Sequence, residues 1–101
     1  MSVIKGRQIP VKIPPYYMMI AEKVVRSRFA MLSRRSLVVI YAIILYLYLS
    51  YRRGLFLKEI KEACMRFLGH VPDTLLCDLI LLQKEGLVKK ESQKYFPRIF
   101  I

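Results

Sequence analysis

The sequence predicts a mostly α-helical fold that closes with a small β-hairpin. Three observations carry this. Ser36–Tyr51 is an uncharged run whose apolar residues fall on every side of a helical wheel. Two further segments, one before and one after it, place apolar residues at three- and four-residue steps. At the carboxy-terminal end, two short β-prone stretches flank the polar Ser92, Gln93 and Lys94.

Residues 1–15 form a basic arm. Pro10, Pro14 and Pro15 lack a backbone donor and bias their predecessors toward extended geometry, leaving room for at most a short edge strand. Lys5, Arg7 and Lys12 suit this arm to a nucleic-acid backbone, whereas Val3, Ile4, Ile9, Val11 and Ile13 suit it to strapping onto a neighbouring surface. Pro15 fits a first helical turn, and Tyr16–Leu32 follows as an amphipathic helix within a 16–33 unit. Tyr17, Ile20, Ala21, Val24 and Met31 line one face, and Glu22, Lys23, Arg26 and Arg28 the other.

The central run is bracketed by Arg34 and Arg35 before it and by Arg52 and Arg53 after it. Sixteen residues at 1.5 Å each span about 24 Å, short of the roughly 30 Å hydrocarbon core of a bilayer. Its tyrosines, Tyr41, Tyr46, Tyr48 and Tyr51, are spread along the run and not gathered into two interfacial belts. The expected environment is therefore a protein core, with a membrane anchor as the competing reading. Ser33 suits the N-cap. Arg34 and Arg35 stand against the positive end of the helix dipole, which points to an external anion as their partner; Gly54 is expected to supply the left-handed stop.

Leu55–Leu57 reads as a single small strand, and Lys58–Leu68 as an amphipathic helix with Ile60, Cys64, Phe67 and Leu68 inward. Gly69, His70 and Val71 make a turn, and Pro72 opens a helix over Asp73–Glu85 that Gly86 ends. With Leu76, Leu79, Ile80 and Leu82 assigned to the core, that helix would expose Asp73, Thr74, Cys77, Asp78 and Leu81. Leu87–Glu91 and Tyr95–Ile101 are the two strands.

With 101 residues the chain makes one domain with one modest core. A hydrophobic fraction of 55% exceeds what so small an interior hides, and the surplus points to a partner, most simply a second copy. Lys and Arg outnumber Asp and Glu by 18 to 7, for a net charge of +11, which points to a polyanion, nucleic acid before an anionic membrane. Cys64 and Cys77 form neither a zinc pattern nor a disulfide framework, and no signal peptide is visible, so the expected setting is intracellular. The single His70 has no nucleophile nearby in sequence, the carboxylates form no spaced pair, and no Gly-rich phosphate loop or zinc set is present; neither an enzyme nor a bound cofactor is expected.

The order helix, short strand, helix, turn, helix, hairpin resembles that of winged helix-turn-helix domains. Leu79–Val88, LILLQKEGLV, looks like that family's third-helix ending, where spaced leucines precede a Gly, Leu, Val stop and the first wing strand. Leu57–Ile60, LKEI, resembles the opening of its second helix. The resemblance covers roughly residues 35–101, within a 34–101 unit, and leaves the first helix as an addition of the kind that often serves dimers of this family. It implies double-stranded DNA as the partner, with the third helix in the major groove and the wing on the adjacent backbone or minor groove.

The residues expected to serve that role are Lys89, Lys90, Lys94 and Arg98 on phosphates, His70 and Thr74 for modest specificity, and Arg34 and Arg35 at the central helix. The third helix departs from the pattern, since its first two turns hold no Arg, Asn or Gln for bidentate base readout. The leading reading is a homodimeric regulator or architectural factor, paired through its first and central helices and holding DNA mainly by phosphates. One alternative is a protein-interaction subunit of a larger nucleic-acid or membrane-remodelling complex, docked through Cys77 and Leu81. The other is a small membrane protein anchored by residues 36–51.

Overall fold

The computed structural model describes residues 12–29 and 35–98. The arm up to residue 11, together with Met31, Ser33 and Arg34, lies outside the described residues. The elements run α1 (Pro15–Arg28), α2 (Arg35–Tyr51), β1 (Leu55–Phe56), α3 (Leu57–Leu68), α4 (Leu75–Lys84), β2 (Val88–Glu91) and β3 (Lys94–Pro97). The fold is mostly helical, with a small antiparallel sheet in the order β1-β3-β2.

Helix α2 is the axis. Every residue from Leu37 to Leu45, and Leu47 beyond, is buried, because α1, α3, α4, β1 and β3 all pack against it. Each such aliphatic side chain contributes about 1.5–3 kcal/mol of gross burial. Among the described residues no helix is long and apolar enough to cross a membrane. The spread of tyrosines along α2 has a local explanation, since three of them turn toward different neighbours. Tyr41 is buried and its hydroxyl donates to the Arg98 carbonyl at 3.3 Å, while burial raises its pKa. Tyr46 lies edge-on between Tyr17 of α1 (5.3 Å) and Phe67 of α3 (5.6 Å), and Tyr48 meets Phe96 of β3 at 6.2 Å.

The exit from α2 corrects one expectation. Arg52, and not Gly54, takes the left-handed conformation, with φ 59° and its N–H donating to the Tyr48 carbonyl at 2.7 Å. Gly54 is required for space: a Cβ there would stand 2.6 Å from Cζ of Phe96 and 2.8 Å from Cβ of Lys94. The missing side chain lets the α2–β1 connection lie directly against β3.

Strand β1 ends at Phe56, one residue earlier than the sequence indicated, since Leu57 already starts α3. The Phe56 N–H, one of the amides left without a helical partner, donates to Glu59 Oε1 at 2.9 Å. Arg53 grips the same carboxylate with both guanidinium nitrogens. These donors, Arg53 first and the Phe56 amide second, hold the Glu59 carboxyl down at about 2. On the inner face Ile60, Ala63, Cys64 and Phe67 are buried, and burial pushes the Cys64 thiol up to about 11.

Helix α4 is rotated from the expected register. Leu75, Asp78, Leu79 and Leu82 face inward, whereas Leu76 and Ile80, assigned to the core from sequence, stand in solvent. Asp78, expected outside, is fully buried and accepts a hydrogen bond from Thr74 Oγ1 at 3.0 Å. Gly86, at φ 75°, ends the helix as expected, and the Leu87 N–H closes back on the Leu82 carbonyl at 2.9 Å.

The hairpin turns on two residues, Ser92 and Gln93, both at positive φ, the conformation that matches the right-handed twist of the strands it joins. Lys94 is therefore the first residue of β3, not part of the turn, and β3 stops at Pro97. β1 adds to the outer side of β3, with Leu55 opposite Tyr95 and Phe56 opposite Lys94. The segment read as an isolated strand is thus the third member of the sheet.

Candidate nucleic-acid interface

The residues singled out from sequence sort into three places. The hairpin carries most of them. Lys89 pairs with Phe96 and Lys90 with Tyr95, so consecutive lysines project from opposite faces, and Lys94 shares the face of Lys89. Lys89, Lys90 and Arg98 are exposed and Lys94 is half-buried.

Aromatic rings hold two of these ammonium groups. Lys90 Nζ sits 5.4 Å from the centroid of the Tyr95 ring, and Lys94 Nζ sits 5.5 Å from that of Phe56. Such contacts are worth about 0.5–1 kcal/mol at exposed sites and consume no N–H donor. Lys89 lies 3.4 Å from the Glu91 carboxylate, but both side chains are more than half exposed, so the pair is weak and open to exchange for a phosphate. Arg98 is tied by its backbone, its N–H donating to the Leu87 carbonyl at 2.8 Å, which leaves its guanidinium outside.

The second place is the α3–α4 connection. His70 is exposed in the turn, but Thr74 is half-buried and directs its hydroxyl hydrogen inward to Asp78. Thr74 therefore supports α4 from within. The outer face of α4 carries Leu76, Cys77, Ile80 and Lys84, with Leu81 half-buried and Asp73 exposed in the turn before the helix. Because Asp78 is inside, one carboxylate fewer opposes an approaching phosphate, yet the face is apolar and has no group for bidentate base readout in its first two turns.

The third place is the start of α2. Arg35 is exposed, and with Lys12 it borders a shallow opening whose floor includes Phe67 and Leu68, just before the turn that bears His70. The positive charge of Arg28 is directed elsewhere: its guanidinium donates to the Glu85 carbonyl at 3.4 Å, linking α1 to the carboxy-terminal end of α4.

Sequence reasoning missed the aromatic members of this surface. Phe56 is 43% exposed and Tyr51 45%, and Arg53 stacks on Tyr51 at 4.9 Å. Their only sequence signal was the alternation of rings with Lys and Arg near Gly54, which acquires meaning once β1 is placed beside β3. Among the described residues no group of three or more His, Cys, Asp or Glu is placed to hold a metal ion, and neither cysteine is in a disulfide. No protein-family model, no curated protein and no solved structure matches the chain.

Proposed function

We propose that the chain is a DNA-binding module of winged-helix type, which holds duplex mainly through phosphate contacts from its hairpin. The observation that carries this reading is the pairing of topology with charge. Helix α2, strand β1, helices α3 and α4 and the β2–β3 hairpin follow one another in the winged-helix order, and β3 lies between β1 and β2. The hairpin that would be the wing bears Lys89, Lys90 and Lys94, with Arg98 just beyond.

Phosphate contact by flexible cations gives affinity with little sequence preference, in keeping with an α4 face that lacks base readers. The homodimer belongs to this proposal in an altered form. The middle of α2 is spent within the chain, so a second copy would meet α1 through the exposed Tyr16 and Met19 and the last turn of α2 through Leu49.

The test is a salt titration of binding to random duplex DNA, comparing the native chain with Lys89→Ala/Lys90→Ala/Lys94→Ala. The native chain is expected to lose affinity steeply with salt, and the triple variant to bind more weakly with a log-log slope lower by about 2 to 3. Unchanged affinity and slope would remove the hairpin from the interface.

A specific observation supports a second reading. Leu76 is 54% exposed and Ile80 53%, with Cys77 between them, an apolar stripe suited to a protein partner within a larger nucleic-acid assembly. Under this reading Ile80→Asp abolishes capture of that partner and leaves duplex affinity intact.

A further inference from the structure

The outward face of the sheet carries a feature that phosphate contact does not use. Leu55 and Tyr95 point into the core, so their neighbours Phe56, Lys94 and Phe96 point away from it. Phe56 stands directly across from Lys94, and Phe96 is its diagonal neighbour on β3, at a spacing of about 7 Å typical of such positions. Phe96 in turn meets Tyr48. The Phe96 ring covers the buried Gly54, where an added Cβ would stand 2.6 Å from Cζ of that ring.

We propose that this face is a stacking platform for the unpaired bases of a single-stranded polynucleotide, with the ring of Phe56 as its principal contact and Lys94 beside it for the phosphate. Three observations converge on that ligand. Phe56 is 43% exposed and sits at a strand-to-helix junction where Glu59 holds its backbone amide, so its side chain leaves from a fixed backbone. Lys94 Nζ lies 5.5 Å over the ring, so a base stacking on that face displaces the ammonium toward the strand's own phosphate. Glu59, the carboxylate beside Phe56, is already engaged by Arg53, while Glu91 keeps only its weak, exposed pair with Lys89.

A duplex keeps its base faces covered by neighbouring pairs, and an exposed ring flanked by a cation offers it little. A single strand presents those faces, and stacking of a base on an aromatic side chain is tolerant of sequence. This inference goes beyond the duplex reading and shares Lys94 with it, and the contribution of the bases at Phe56 distinguishes the two.

The test measures binding of the full chain to a short oligothymidylate, to an abasic sugar-phosphate chain of equal length and to duplex of the same length. The native chain is expected to prefer the base-bearing strand to the abasic one by at least about fivefold. Phe56→Leu, which keeps an apolar side chain but removes the ring, is expected to erase the preference for the base-bearing over the abasic strand; Phe56→Tyr is expected to restore it. A strand containing 2-aminopurine should lose fluorescence on binding the native chain and not on binding Phe56→Leu. Equal affinity for base-bearing and abasic strands, or an unchanged preference in a folded Phe56→Leu, would overturn the platform. Absence of duplex binding together with a Phe56-dependent preference for bases would remove the duplex reading and sustain this one.

Discussion

Helices α2 and α4 are the two most apolar in the chain, and they spend that character in opposite ways. Helix α2 is surrounded, and nine consecutive residues from Leu37 to Leu45 are buried. Helix α4 packs on one side only, burying Leu75, Leu79 and Leu82 and leaving Leu76 and Ile80 more than half exposed. Hydrophobicity in α2 is accounted for by the fold; hydrophobicity on the outer side of α4 is not. A single mean value for the chain hides this division, which is visible only once each helix has neighbours.

The largest expected effect that tests the contrast lies in α2. Ile43→Ala removes a fully buried side chain from a site closed on all sides, and a loss of about 3 kcal/mol in denaturant-melt stability is expected. Next is Gly54→Ala, where the new methyl would meet the Phe96 ring and the Lys94 stem; overpacking of about 1–3 kcal/mol should appear in the same melts. A neutral outcome there would mean that α2 and β3 are not held as closely as described.

A third prediction concerns acid. Glu59 has its carboxyl held at about 2 against an ordinary 4.5, so its charged contacts stabilise the fold fully above the ordinary value, and that contribution is lost as pH falls from there through about 2. Thermal melts across this interval should show the native chain losing more stability than Glu59→Gln. At neutral pH the substitution should lower stability only modestly, since the Arg53 partner is nearly half exposed and the pair is screened by solvent. Smallest of all, Leu76→Ser and Ile80→Ser should each change stability by no more than about 0.5 kcal/mol. If either costs as much as Ile43→Ala, the outer face of α4 is structural after all and the contrast with α2 fails.

Much of the architecture was legible in the sequence because the signals there were unambiguous. An uncharged run apolar on every side required burial all round, and KEIKEACMRFL carried one clean helical period, so the inward set of α3 emerges with Ile60, Cys64 and Phe67 in place. The α4 segment was ambiguous for a physical reason. Leu75, Leu76, Leu79, Ile80, Leu81 and Leu82 satisfy two neighbouring helical registers, and the observed one, unlike the one that put Leu76 and Ile80 inside, carries the ordinary cost of burying the Asp78 carboxylate. What offsets part of that cost is Thr74, placed one helical turn earlier, a signal present in the sequence but readable only as a pair.

The exit from α2 was misread for a similar reason, since a glycine near a helix end usually serves the left-handed turn, and here it serves a close approach. Of the candidate interface, the cationic hairpin could be read from composition and strand pattern. The placement of Phe56 beside Lys94 could not, because it depends on pairing between strands some forty residues apart.

The hydrogen bond from Tyr41 to the Arg98 carbonyl has a mechanical consequence. It ties the chain leaving β3 to the middle of α2, while Gly54 lets β3 lie directly against the connection that leaves the same helix. A pull on the hairpin is thus passed to α2 through this bond and to the connection at Gly54. Whatever grips the hairpin loads the whole domain as one lever, and Tyr41→Phe should lower the force at which that lever first gives way.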